Sequence, residues 1–146
     1  MILKIFKGVW FLSLIGLLAS LLLVYASMQE TVVVQEEGIN QVILTKDTFF
    51  YIVLALMVIV NVMVFPVKKL FLKNEPFRTW VHGLLIAINI FFIVGLSLIN
   101  SFNSGERFDF SRIGFVVYGS VGLIVIWAFA WPAYQLYKRF TPKSAI

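Results

Sequence analysis

Four stretches of about twenty residues, Val9–Met28, Phe49–Val67, Trp80–Ile99 and Ile113–Trp131, contain no Asp, Glu, Lys or Arg. Each is long enough to cross a hydrocarbon layer of roughly 30 Å as an α-helix, since a helix rises about 1.5 Å per residue. The pattern predicts an all-α membrane protein, an antiparallel bundle of four transmembrane helices with spans at about 9–28, 49–67, 80–99 and 113–131. Outer connections fall at 29–48 and 100–112, and an inner one at 68–79. One membrane domain, 1–146, is expected to account for the chain.

Lys4 and Lys7 precede the first apolar run, and Val24-Tyr25-Ala26 resembles a small-residue cleavage site. The run exceeds the core of a secretory signal, so it is expected to stay as the first span.

The first outer connection has a different periodicity. Thr31-Val32-Val33-Val34-Gln35 and Gln41-Val42-Ile43-Leu44-Thr45 are β-branched runs on either side of Glu36-Glu37-Gly38-Ile39-Asn40. This predicts a short β-hairpin. A two-stranded ribbon cannot hide Val32, Val34, Val42 and Leu44 together, so these four residues are a candidate docking face. Their cover would be the connection Asn100–Arg112, the membrane surface or a partner protein.

Composition strengthens the membrane reading. Hydrophobic residues make up 61% of the chain and charged residues 13%, too little polar surface to coat a soluble globule of 146 residues. Charge then sets an orientation. With a cytoplasmic N-terminus, Lys4, Lys7, Lys68, Lys69, Lys73, Arg78, Lys138, Arg139 and Lys143 lie inside, and Lys46, Arg107 and Arg112 outside. Nine inside against three outside predicts that both termini are cytoplasmic, with the chain in the plasma (inner) membrane. Of the acids, Glu75 alone falls inside. The net charge of +5 is thus concentrated at one membrane edge, where lipid head groups are its expected counterions and nucleic acid is not an expected partner. Trp10, Trp80, Trp131 and Tyr134 fall at that same edge, as interfacial anchors do.

Within the spans, polar and small residues carry the information. Asn61 lies in the second, and His82 and Asn89 lie seven residues apart in the third, so the three form a candidate polar seam between helices two and three. They serve either as interhelical hydrogen-bond glue or as a site for a proton, ion or quinone. Ser13, Gly16 and Ser20 mark a close-approach face on the first helix, and Gly83 with Ala87 marks another on the third. Pro132 removes the hydrogen bond to the Ala128 carbonyl and is expected to bend the fourth helix.

Chemistry is sparse. There is no cysteine, a single histidine, no carboxylate inside a span and no phosphate-binding glycine pattern. No catalytic residue, metal ligand or cofactor site is therefore assigned. The expected role is a non-catalytic subunit that anchors or stabilises a larger membrane complex, with the lipid bilayer and other membrane subunits, or a second copy of itself, as partners. The alternative is a small oligomeric transporter or channel using the polar seam.

Overall fold

The computed structural model describes residues 1–37, 40–104 and 110–141, with the backbone alone for 34–37, 40–41 and 110–112. The elements are α1 (Ile2–Ser27), β1 (Thr31–Glu37), β2 (Asn40–Thr45), α2 (Lys46–Val62), α3 (Val64–Leu70), α4 (Glu75–Asn103) and α5 (Phe110–Phe140). With α2 and α3 taken as one broken rod, four helices are long and apolar enough to cross a membrane. The fold is mainly helical, with one two-stranded antiparallel sheet.

The helix limits follow local chemistry. The Thr45 hydroxyl accepts from the Thr48 amide at 3.3 Å and starts α2, while the Asn74 side chain accepts from the Phe77 amide at 3.2 Å and starts α4. Such side-chain acceptors satisfy amides that a helix N-terminus leaves without partners. The rod α2–α3 breaks at Met63, three residues before Pro66. Proline has no amide hydrogen to return to Val62, and its ring crowds that turn. In α5, by contrast, the helix continues through Pro132 to Phe140.

Helix α4 is the hub. Its most extensive interface is with α1, followed by α5, whereas α2 touches it sparingly. Pairing runs Trp10 with His82, Ser13 with Asn89 and Ser27 with Asn100, so α1 and α4 are parallel. Helix α2 is antiparallel to α1, with Trp10 bonded to Asn61 and Tyr25 to Asp47. Helix α5 is antiparallel to α4 and touches α1 at its basic end, where Phe6 stacks on Trp127 at 5.8 Å. Consecutive helices are therefore antiparallel, but the best-packed pair is the parallel α1/α4. Gly16 lies on this face: a Cβ there would make an ordinary van der Waals contact, 3.8 Å, with the end of the Ile93 side chain of α4.

The core has two parts. Leu17, Leu21, Val24 and Met28 form one stripe on α1 and pack with Val32, Phe49, Met57 and Leu96 at the hairpin end. Val64, Val81 and Leu85 pack at the basic end. Many apolar side chains instead face outward, among them Leu23, Ile59, Phe115 and Phe129, each about two-thirds exposed or more. Such a surface exceeds what soluble monomers usually expose and matches helices long and apolar enough to cross a membrane.

The hairpin strands extend further than the sequence pattern indicates, β1 to Glu37 and β2 from Asn40; residues 38–39 lie outside the described residues. Thr31 pairs with Thr45, Val32 with Leu44 and Val33 with Ile43, after which the register shifts so that Gln35 pairs with Val42. One residue, Val34, is extra on β1, a bulge that changes which face later residues present.

Candidate functional site

The polar side chains in the middle of the helices form one connected cluster on the faces of α1, α2 and α4. Asn61 Nδ2 donates to Asn89 Oδ1 at 2.9 Å, and Asn89 Nδ2 donates back to Asn61 Oδ1 at 3.0 Å. The second hydrogen of Asn61 goes to the Met57 carbonyl at 2.9 Å, and the second of Asn89 to the Ser13 hydroxyl at 3.0 Å. Trp10 Nε1 donates to Asn61 Oδ1 at 2.9 Å, and the Ser13 hydroxyl donates to the Trp10 carbonyl at 2.6 Å. An indole N–H can only donate and a carbonyl can only accept, so Trp10 and Met57 fix which end of the Asn61 amide is oxygen. All four amide hydrogens of the pair are used.

His82 is nearly fully buried and stands edge-on to Trp10, with ring centroids 5.8 Å apart and planes at 90°. Its Nδ1 lies 2.6 Å from the Arg78 carbonyl. That partner only accepts, so Nδ1 carries a proton. The structure therefore brings Asn61 and Asn89 into direct contact and places His82 one residue away, across Trp10. The seam lies among three helices, not between two.

Three contributions escape a reading by residue type. Trp10, anticipated as an interfacial anchor, is a donor inside the cluster; its signal was its i, i+3 relation to Ser13. Trp127 is the second. Trp80 Nε1 donates to the Trp127 carbonyl and Trp127 Nε1 to the Trp80 carbonyl, both at 2.8 Å, which locks α4 to α5. The Trp127 ring covers Gly83 so closely that any Cβ there would overlap it. Gly83 thus serves the α4–α5 contact, and Gly16 and Ser13 serve α1–α4. Ser20 is half-buried on α1.

The third is Asn103 at the end of α4. Its Oδ1 accepts from the Val33 amide at 2.8 Å, and its Nδ2 donates to the Val33 carbonyl at 3.1 Å and to the Ile99 carbonyl at 2.8 Å. A side-chain amide thereby takes the place of a neighbouring strand on β1. Of the proposed docking residues, Val32 is fully buried in the core of this chain and Leu44 packs against that core, so neither is free for a partner. Val42 is half exposed and its neighbour Ile43 equally so. The Val34 side chain lies outside the described residues.

Among the described residues no three His, Asp or Glu side chains gather in a way that could hold a metal ion. Comparisons with protein-family models, curated proteins and solved structures return no match.

Proposed function

We propose that the chain is a non-catalytic integral membrane subunit that anchors or stabilises a larger membrane protein assembly, with both termini cytoplasmic in the plasma (inner) membrane. The observation that supports this best is that all four amide hydrogens of the Asn61–Asn89 pair are donated to groups within the chain. A transporter or channel built on the same seam needs polar groups free to exchange partners with its cargo. Here those groups hold helices together. The partner-facing element in this reading is the hairpin, where Val42 and Ile43, on opposite faces of β2, are left half uncovered by the chain itself.

The test is purification of the tagged protein in mild detergent, with mass spectrometry of co-eluting proteins at fixed stoichiometry. Val42→Lys with Ile43→Lys should release the partner while the helices still insert, because insertion depends on the spans. A partner retained by that variant would remove the hairpin as the docking element. A lone homo-oligomer from the wild-type chain would replace the subunit reading with the transporter.

A further inference from the structure

Arg78 sits in the first turns of α4 and is 9% exposed. Its Nη1 donates to the Leu72 carbonyl at 3.3 Å, and its Nε is buried with no hydrogen-bond partner. No carboxylate pairs with it among the described residues; Glu75 is exposed and faces the Met1 ammonium at 3.9 Å. A guanidinium offers five N–H donors, and a buried one without a counter-anion is costly to maintain. Lys7 of α1 lies within electrostatic reach of Arg78, of Lys68 of α3 and of Glu75, so two cations and one exposed carboxylate share its surroundings. Helices α1, α3 and α4 thus each bring a cation to the basic end of the helices, where Arg78 Nε is buried without a partner.

We propose that Arg78, with Lys7 and Lys68 beside it, binds the phosphate group of an anionic phospholipid at the basic end of the helices. Phosphate matches the donor geometry of a guanidinium, and lysines supply point charges around it. The depth fits a lipid. Lys7 is two residues before Val9 and Arg78 two before Trp80, the first residues of two uncharged runs, which places both cations about 3 Å of helix rise outside the apolar segments. Exposed Ile5, Val9 and Phe65 on α1 and α3 offer acyl chains an apolar surface at the same end.

The test is native mass spectrometry of the whole protein exchanged into mixed phosphatidylglycerol and phosphatidylcholine nanodiscs, scoring retained lipid. Wild type should retain phosphatidylglycerol in preference. Arg78→Gln should weaken that retention about tenfold, because a charge-assisted bidentate contact is lost, while Arg139→Gln, an equal change of charge on an exposed helix end, should leave it intact. Equal retention by Arg78→Gln and wild type would overturn the proposal. If Arg78→Gln does not fold, the Lys7→Gln/Lys68→Gln variant decides: loss of the preference supports the site and persistence overturns it. Displacement of the lipid by millimolar inorganic phosphate would overturn the lipid as occupant in favour of a free anion.

Discussion

Asn61 and Asn89 face each other as a closed amide pair, each donating to the other's oxygen at 2.9–3.0 Å from opposite helices. The same two side chains also hold Trp10 and Ser13 of α1, so one pair joins three helices. Its removal should be felt as stability and assembly before anything else.

Asn89→Leu strands a donor on Asn61 and removes the bond that the Ser13 hydroxyl accepts, while its own bond to the Trp10 carbonyl remains. The expected loss is about 1–2 kcal/mol, above the average interhelical hydrogen bond in a membrane because more than one bond is broken. Asn61→Leu/Asn89→Leu should cost less than the sum of the two single changes, since neither amide then remains without a partner. Reversible unfolding in detergent reads both. Additive losses would show that the two side chains act independently.

Gly83→Ala puts a methyl group where the Trp127 ring lies, and should lower stability by about 1–3 kcal/mol. Trp127→Ala in the same chain should recover part of the α4–α5 packing lost to overlap, although the Trp80–Trp127 bonds stay broken. Thermal melts of the single and double variants test this. A Gly83→Ala chain as stable as wild type would mean that the close approach carries no packing role.

Asn103→Ala removes both bonds to Val33 and leaves a buried stretch of β1 without its substitute strand. Hydrogen exchange at the Val33 amide should rise about tenfold or more, corresponding to a lost contact of about 1.5 kcal/mol, while exchange in the middle of α4 stays unchanged. Asn103→Gln tests whether amide chemistry without the same reach is enough.

Orientation is checked by single cysteines, which the chain lacks naturally. With the nine-to-three bias of basic residues, a cysteine at Ser104 should react with an impermeant thiol reagent in intact cells and one at Asn74 should not. Reaction at Asn74 alone would invert the topology.

The uncharged runs, the β-branched pair around Gly38 and the candidate seam residues were all legible in the chain, because they depend on local periodicity and on the lengths a helix or strand needs. Even so, the helices begin earlier than the uncharged runs, at Ile2, Lys46 and Glu75, since caps and first turns tolerate charge that lipid does not. The sequence determined by itself how many apolar helices form, and that Asn61, His82 and Asn89 are polar groups in apolar surroundings. Which helices hold them was decided by the tertiary structure. Spacing along one helix gives a face, but an apolar face accepts lipid and protein alike, so periodicity cannot choose its neighbour. Shape made the choice: Gly16 faces Ile93 of α4, Gly83 admits Trp127, and Asn103 meets β1 only because α4 runs on past its apolar segment. Those contacts join residues 44 to 77 positions apart, and nothing local in the chain encodes them.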